Sequence, residues 1–498
     1  MSKILLITSS FENISLITAS ENKKEGEKTR DDSHYPLGLA YLHSYLEKKN
    51  QVMTLFLNNR NFQTCFNETI KAIDNFQPDI IGFQIITTNR NSTYSLIKFI
   101  HKNYPEIRQL IGGIHATLMY EQLLKKFPFL IAVIGEGEIT FDELAKELAS
   151  SGSNLKKIDG IAYVLNGSVV KTNQRKLIEN LDELPFPKHE LFFDEDRTAG
   201  CLVTARGCPF NCSFCCLDVL SQRRVRMRSV KNIIEEVELM INKFPRMKGI
   251  WIHDDTFFID NRRVIEFCDE IIKRKIKISF TCSGRMKPLS QEMVYKLEQA
   301  NFKKVLLGLE SGDESILKKC HKMITQVDAI NAFKMFAKSK ISLTAFLIVG
   351  LPGETFETIK ETAKFVQKLQ KIKYIYYEDC AILTIYPGTE ICDLAKKAQV
   401  INDDFWLTDQ PTPLFTLENN QEQLFRFKEI LLNSIALPRL FTPAGFVAQF
   451  TMLPYIIKYI FSNKNNFKRI SFLILKRILP KKSFNLLLAA SQKFKILR

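Results

Sequence analysis

The chain has 498 residues, of which 45% are hydrophobic and 25% are charged; this composition is that of a globular protein of two or three domains and excludes a disordered or fibrous chain. Its net charge is +16, but residues 431–498 hold 12 Lys and Arg and no Asp or Glu, so the rest of the chain carries only +4. The N-terminal apolar run is too short for a secretory signal, so the 11 cysteines predict reduced thiols in a cytoplasmic protein and argue against a disulfide framework.

Residues 1–150 alternate predicted strands and helices. Apolar runs such as KILLIT at residues 3–8 and PDIIGFQIIT at residues 78–87 are typical of parallel strands buried on both faces. Between them, LGLAYLHSYLEKK at residues 37–49 has the apolar spacing of an amphipathic helix. This alternation predicts a doubly wound, Rossmann-like α/β domain whose ligand lies outside the carboxyl ends of the strands.

Residues 151–195 change character and predict a hairpin, with its turn at Asn166-Gly167, followed by a proline-containing linker. From residue 196 to residue 400 the alternation of strands and helices resumes. Its six candidate strands predict a partial (β/α)6 barrel with its chemistry at the carboxyl ends of the strands. These candidate strands are residues 201–205, 249–253, 278–283, 304–308, 342–350 and 380–386. Residues 401–498 are predicted to be mostly helical, basic and amphipathic.

Three cysteines directly after the first barrel strand form the spacing C-x3-C-x2-C, at Cys208, Cys212 and Cys215. Cysteine thiolates are the ligands of iron–sulfur clusters, and three ligands on a four-iron cluster leave one iron open to a substrate. The alternative is a zinc site, which usually has four ligands in two separated pairs. The remaining cysteines contain no second pair, although the adjacent Cys216 is a conceivable fourth ligand.

This spacing, with the aromatic Phe214 before the last cysteine, resembles the signature of the radical S-adenosylmethionine enzymes. The resemblance implies that the three cysteines are catalytic and hold a [4Fe–4S] cluster whose open iron chelates S-adenosylmethionine. It further implies reductive cleavage of S-adenosylmethionine to a 5′-deoxyadenosyl radical, with electrons from an external donor of the flavodoxin or ferredoxin type.

Other stretches match the later motifs of the family at the ends of barrel strands: HDDTF, TCSGRM, GLESGDES and YPGTE. The resemblance implies that they contact S-adenosylmethionine. The residues so implied are Phe214, Asp255, Thr256, Arg285, Glu310 and Tyr386. Two alternatives stay open, since Asp254 or Asp255 can instead cap a helix and Arg285 can instead be a surface residue.

Residues 1–400 as a whole resemble the cobalamin-dependent branch of this family, through PLGLAYL, PDIIGFQIITTN, IGGIHAT and IGEGEITFDEL. The cobalamin contacts that this resemblance implies are Pro36, Leu37, Gly38, Thr87, Thr88, Asn89, Gly112, Gly113, His115, Ala116, Gly135, Glu136, Gly137 and Glu138. The motif D-x-H-x-x-G, which supplies a lower cobalt ligand in mutase-type domains, is absent; residues 56–62 read FLNNRNF. We therefore interpret His115 as a polar lining residue, with a role as a cobalt ligand as the alternative. The alternative is a domain that keeps the fold without binding cobalamin.

The resemblance implies C-methylation of an unactivated carbon on a natural product, and membrane binding by the basic C-terminal region would favour a lipid. The alternatives are a radical oxidative cyclase or oxidoreductase acting on a tetrapyrrole or natural product, and a non-catalytic cobalamin- or redox-binding protein. The basic C-terminal region predicts peripheral contact with an anionic membrane surface, on the inner membrane face, or a helical subdomain that closes the barrel. A spanning helix is not expected, since the longest uncharged run, residues 440–457, is at the short limit for crossing. We expect no nucleic-acid partner, and the oligomeric state stays open.

Overall fold

The computed structural model describes residues 1–11, 35–58, 60–150, 154–193, 197–375 and 380–436. Residues 1–431 form one compact unit. Most of the predicted basic, amphipathic region therefore lies outside the described residues. Within the described residues, no helix is long and apolar enough to cross a membrane.

The first sheet has seven strands in the order β2-β1-β3-β4-β5-β6-β7, of which the first five are parallel and the last two antiparallel. Its strands are β1 Lys3–Thr8, β2 Gln51–Phe56, β3 Ile80–Gln84, β4 Arg108–Gly112, β5 Ile131–Val133, β6 Ile161–Leu165 and β7 Ser168–Lys171. The helices that cross between its parallel strands are α1 Leu37–Leu46, α2 Phe62–Phe76, α3 Arg90–Asn103 and α4 Ile114–Lys126, and α5 Glu138–Leu148 follows β5. The doubly wound fold is confirmed, and the predicted hairpin extends the same sheet beyond residue 150.

The interior strand β1 illustrates why this sheet is stable. Its four apolar residues, 4 to 7, are fully buried. Because side chains alternate along a strand, Leu5 and Ile7 join the apolar core on one face, and Ile4 and Leu6 join the core on the other. Helices on both faces cover these cores, as parallel sheets require.

The second sheet has six parallel strands in the order β15-β14-β13-β12-β11-β8 and forms a half-barrel. Its strands are β8 Ala199–Leu202, β11 Gly249–Ile252, β12 Ser279–Gly284, β13 Phe302–Glu310, β14 Ser342–Val349 and β15 Ala381–Ile382; the short β9 Ala205–Arg206 and β10 Arg226–Met227 form a separate antiparallel ribbon. Its helices are α6 Leu217–Ser221, α7 Val230–Lys243, α8 Asn261–Lys273, α9 Gln291–Gln299, α10 Glu314–Lys319, α11 Gln326–Phe336, α12 Phe356–Ile372, α13 Glu390–Lys397 and α14 Gln421–Ala436. All six predicted strands are present, so the predicted barrel is confirmed.

The sixth strand is shorter than predicted. The sequence predicts a strand from residue 380 to residue 386, whereas β15 holds only two residues. Beyond it, Thr384 leaves the parallel sheet and forms an antiparallel bridge with Leu414. The chain after the barrel thus returns to cover the edge of the sheet.

The segment that follows the barrel packs on the first domain. Trp406 is fully buried in the apolar core beside α3 and α4. The Tyr94 hydroxyl donates to the Trp406 carbonyl at 3.2 Å. The buried Arg90 donates through Nη1 to the Thr412 hydroxyl at 3.2 Å and through Nη2 to the Gln410 carbonyl. Both domains and this segment therefore share one core.

Candidate functional site

The three motif cysteines lie on the loop of residues 207–216, here called the cluster loop, which connects β9 to α6. Backbone hydrogen bonds fix its path. Cys215 N–H donates to the Cys212 carbonyl at 2.9 Å, and Ser213 N–H donates to the Cys320 carbonyl at 3.1 Å. The loop is thus held both by itself and by the end of α10.

The start of the cluster loop is held from β11. Gly207 has φ +96°, and a Cβ there would overlap the carbonyl oxygen of Arg224, so only glycine fits. The Gly207 N–H donates to Asp255 Oδ2 at 3.0 Å. Next to it, Asp254 accepts from the Thr204 N–H at 2.6 Å. The two carboxylates that follow β11 therefore position the turn into the loop.

These contacts remove one of the alternatives that the sequence left open. The residue that caps α8 is Asp260, which accepts from the Arg262 N–H at 2.9 Å. Asp254 and Asp255 instead bind backbone N–H groups next to the cluster loop. The Asp255 carboxyl opens onto a cavity, and burial of its surroundings raises its pKa, opposed by the Gly207 N–H.

The thiols of the cluster loop are mostly shielded from water. Burial raises the pKa of the Cys208 thiol, and it raises the pKa of Cys215 to about 12, with Cys216, Cys212 and Cys208 adding to the rise. A metal must therefore displace protons to bind them. Among the described residues, no group of His, Cys, Asp and Glu side chains is arranged to hold a single metal ion. Cluster ligands bind different irons, so their sulfurs stand farther apart than ligands that share one ion.

Arg285 is the cation of this site. Its Nη1 lies 3.6 Å from Cys212 Sγ, and its guanidinium stacks on Phe210 with 3.7 Å to the ring centroid. Its Nη2 donates to the Lys322 carbonyl. Arg285 is only 6% exposed, so the surface alternative is wrong. Within the described part of the chain, its Nε has no hydrogen-bond partner and no carboxylate pairs with it, which suits an anionic cluster or a ligand carboxylate.

The other predicted S-adenosylmethionine contacts lie at the same end of the half-barrel. Glu310 ends β13 with φ +65° and pairs with the buried Lys322, whose Nζ lies 2.7 Å from Glu310 Oε1. Thr256 is buried directly after β11. Tyr386 is half-buried, and its carbonyl accepts from the hydroxyl of Thr389, the residue that caps α13. Phe214 packs against the apolar core from the cluster loop.

A cavity of about 590 Å³ lies between the two sheets, which is within the usual range for cofactor sites. The predicted cobalamin contacts that line it are Leu37, Gly38, Gly112, Gly113, Gly135, Glu136, Gly137 and Glu138. The barrel residues that line it are Val203, Ala205, Arg206, Leu217, Leu220, His253 and Asp255. The carboxyl ends of the first sheet and the start of the cluster loop thus face one space.

Three glycines of the cavity, Gly112, Gly135 and Gly137, leave room for a large ligand. Gly135 has φ +81°, and a Cβ there would meet no atom within 4 Å. Added Cβ atoms at Gly112 and Gly137 would come no closer than 3.8 Å to any atom outside their own neighbours. The Gly135 N–H donates to the Thr117 hydroxyl at 3.0 Å, which keeps this glycine loop in place. The backbone therefore borders open space, as close approach of a flat cofactor requires.

Some predicted cobalamin contacts do not line the cavity. His115 is fully buried, with Nδ1 3.1 Å from the Thr87 hydroxyl and Nε2 3.0 Å from the Tyr94 hydroxyl. Burial, with Arg90 as a second cause, lowers the pKa of His115 to about 3. Asn89 accepts from Ile86 N–H at 2.9 Å. The predicted residues outside the cavity lining are Pro36, Thr87, Thr88, Asn89, His115 and Ala116.

Several lining residues were missed by the sequence reasoning. Tyr41 lies on α1 inside the matched stretch PLGLAYL, and Gln84 ends β3. Arg206 directly precedes the cluster loop, and this position next to the cysteine motif was the signal that could have pointed to it. His253 was predicted only as part of a strand-end motif.

Comparison with known proteins agrees with this geometry. The Radical SAM superfamily model matches residues 202–366, and the B12 binding domain model matches residues 28–145. An uncharacterized methyltransferase of Pyrococcus horikoshii is 33% identical over 366 residues, which are 72% of this chain and 78% of that protein. The chain belongs to the cobalamin-dependent radical S-adenosylmethionine enzymes.

One further curated protein and one solved structure are similar to this enzyme. The anaerobic magnesium-protoporphyrin IX monomethyl ester cyclase of Rubrivivax gelatinosus is 29% identical over 350 residues, which are 67% of this chain and 62% of the cyclase. A solved structure of the cobalamin-dependent S-adenosylmethionine radical enzyme OxsB, with aqua-cobalamin and S-adenosylmethionine bound, shares the fold. Its TM-score is 0.68 at 19% identity, over 100% of this chain and 76% of OxsB.

The cofactors of this radical S-adenosylmethionine enzyme are a [4Fe–4S] cluster, S-adenosylmethionine and cobalamin, and the described residues fit them. The cluster loop offers the thiols, and Arg285 offers a buried cation with an unpaired Nε. The glycine-lined cavity offers open space beside that loop. When bound, the cluster with S-adenosylmethionine supplies hydrogen-atom abstraction and cobalamin supplies methyl-group transfer.

Proposed function

We propose that this enzyme methylates an unactivated carbon of a lipid or another natural product. The observation that carries the proposal is that one cavity is lined both by the glycine loops of the cobalamin domain and by Arg206 and Asp255 at the cluster loop. Methyl transfer to a substrate radical needs both cofactors within reach of one carbon, because holding reactants together supplies much of the rate. The methyltransferase of Pyrococcus horikoshii supports the same reaction class.

We assign roles to the polar residues on this basis. Cys208, Cys212 and Cys215 hold the cluster, and Arg285 balances its negative charge and binds the carboxylate of S-adenosylmethionine. Asp255 orients the loop through the Gly207 N–H and presents its other oxygen to the cavity. An external donor of the flavodoxin or ferredoxin type supplies the electron.

The inner face of the half-barrel supports a largely apolar substrate. On β14, Leu343, Ala345 and Leu347 are buried under the helices, so Phe346 lies on the opposite face, where it is 40% exposed. By the register of the strands, Trp251 and His253 lie on this same face, and His253 reaches the cavity. Their rings stack with centroids 4.9 Å apart. Aromatic side chains on an open inner face favour an apolar or ring-containing substrate.

A second candidate is a radical oxidative cyclase, which the 29% identity to the protoporphyrin ester cyclase favours. Both reactions begin with the same cofactors and differ in the fate of the substrate radical. A methyltransferase consumes a second S-adenosylmethionine as methyl donor, whereas a cyclase does not.

An anaerobic assay tests the proposal. The reconstituted enzyme is incubated with dithionite, S-adenosylmethionine and cobalamin, and lipid or tetrapyrrole extracts are added as candidate substrates. Methyl transfer produces 5′-deoxyadenosine together with S-adenosylhomocysteine and a product heavier by one methyl group. Formation of 5′-deoxyadenosine with no S-adenosylhomocysteine above the substrate-free control contradicts methylation and favours the cyclase. Formation of neither product, with cluster and cobalamin both loaded, contradicts both reactions and favours a non-catalytic binding protein.

A further inference from the structure

A partly buried arginine connects the two cofactor sites. Arg206 ends β9, directly before the cluster loop, and extends toward the glycine loop of the first domain. Its Nη1 lies 2.9 Å from Glu136 Oε1, and its Nη2 lies 2.7 Å from Glu138 Oε1. The side chains of Arg206, Glu136 and Glu138 are only 19%, 16% and 6% exposed. The three residues also line the cavity.

Neighbouring groups hold this arrangement from both sides. Arg226 pairs with Arg206 across the ribbon of β9 and β10, and its Nη1 lies 2.7 Å from the other Glu136 oxygen. The Arg206 guanidinium lies 5.1 Å from the ring centroid of Tyr41, within the range of a cation–π contact. Glu136 therefore has both oxygens engaged, and Arg206 is fixed in orientation as well as in charge.

Stability alone does not account for such a set of contacts. Buried ion pairs often contribute little net stability, because removing two charges from water offsets most of their attraction. A guanidinium that binds two carboxylates fixes their positions relative to one another, because its planar array of N–H donors forms good hydrogen bonds only over a narrow range of carboxylate positions. Here that geometry joins a residue two positions before Cys208 to two residues of the opposite cavity wall.

We propose that Arg206 is a positioning residue that holds the cluster loop at a fixed separation from the cobalamin cavity through Glu136 and Glu138. This inference goes beyond the proposed function, because it concerns the distance between two cofactors and holds for methylation and cyclisation alike. A catalytic pair of cofactors that is misplaced by about 1 Å can lose about 100-fold in rate.

Electron paramagnetic resonance of the holoenzyme tests this inference without turnover or substrate. The reduced cluster and cob(II)alamin each carry an unpaired electron, so their magnetic coupling reports their separation. The test variants are Arg206→Lys, which keeps the charge but cannot reach both carboxylates, and Glu138→Gln, which removes one ion pair at constant size. The matched control is Arg224→Lys. In the wild type, the guanidinium of Arg224 binds the Glu179 carboxylate at 2.7 and 2.8 Å, and both side chains are more than half exposed.

We expect both test variants to shift or broaden the separation by about 1 Å or more, which exceeds the tolerance of about 0.5 Å that working sites keep, while the control matches the wild type. Separations in Arg206→Lys and Glu138→Gln equal to that of the wild type, with both cofactors bound, would overturn the inference. An equal change in the control would also overturn it, as a non-specific effect. If Arg206→Lys does not retain its cofactors, the separation measured in Glu138→Gln tests the inference, because the ion pair between Arg206 and Glu136 remains in that variant. Failure of methylation leaves these spectra unchanged, so the two proposals fail independently.

Discussion

Substitution of Gly135 by alanine should weaken cobalamin binding more than it weakens the fold. Gly135 has φ +81° and borders the cavity. A matched control exists at Gly167, in the turn of the β6–β7 hairpin, which has φ +76° and, like Gly135, no atom within 4 Å of an added Cβ. The two glycines therefore impose the same backbone demand and differ in the space beside them.

The magnitudes can be worked out from this match. A left-handed conformation costs an alanine roughly 1–2 kcal/mol relative to glycine, so both variants should lose about that much free energy of unfolding. Neither should lose more through packing, because no protein atom is displaced in either case. At Gly135 the new methyl group also occupies ligand space, and a clash of about 1.4 kcal/mol lowers affinity about tenfold.

Two measurements separate these effects. Denaturant unfolding of the cofactor-free protein gives the stability loss, and an absorbance titration with hydroxocobalamin gives the affinity. We expect equal stability losses, and a weaker affinity for Gly135→Ala alone. Equal cobalamin affinity in both variants would refute the placement of the cofactor against the glycine loops.

Three further predictions concern the cluster loop, His115 and the basic C-terminal region. Cys215→Ala should abolish the visible absorbance of the reconstituted cluster while Cys216→Ala keeps it, since only Cys215 completes the motif; equal loss in both would contradict this assignment. Burial and Arg90 lower the pKa of His115 in the folded protein to about 3, whereas a histidine in the unfolded chain has a pKa of about 6.5. Below about pH 6.5 the unfolded chain therefore binds a proton at His115 and the folded protein does not. The free energy of unfolding that this group contributes is therefore fully present above pH 6.5 and falls on acidification, by about 2 kcal/mol at pH 5. In urea unfolding, His115→Gln should lose less free energy of unfolding between pH 7 and pH 5 than the wild type. Equal losses in the two proteins would contradict this prediction. The full chain should float with anionic vesicles, while a chain ending at residue 436, which lacks 12 Lys and Arg, should not; equal flotation would refute surface binding.

Features set by local pattern could be predicted from the sequence. The strand KILLIT is buried on both faces because it is apolar at every central position, and the structure has it as β1. The Asn166-Gly167 turn occurs where a two-residue hairpin turn was expected, with both residues at positive φ. The sequence predicted that Cys208, Cys212 and Cys215 follow the first barrel strand together, and in the structure all three lie on one loop between β9 and α6.

Features set by distant contacts could not be predicted. Arg206 and Glu136 are 70 positions apart, and nothing in either local sequence states that they meet. The same holds for His115. Its place in a family motif predicted a residue that lines the cavity, whereas in the structure its ring is buried and contacts the Tyr94 hydroxyl. The second half of the sixth predicted strand was wrong because Thr384 finds a partner at Leu414, beyond the predicted barrel.

The packing of Trp406 has a consequence for how this enzyme can be divided. We expect that the cobalamin domain does not fold independently, although its sheet is continuous in sequence. Excised at residue 150, it would lose the indole that fills its helical face and the Gln410 carbonyl and Thr412 hydroxyl that solvate the buried Arg90 charge. Polypeptide made after the barrel thus completes a domain made before it, so the nascent first half can reach its final form only after residues 406–412 have been made.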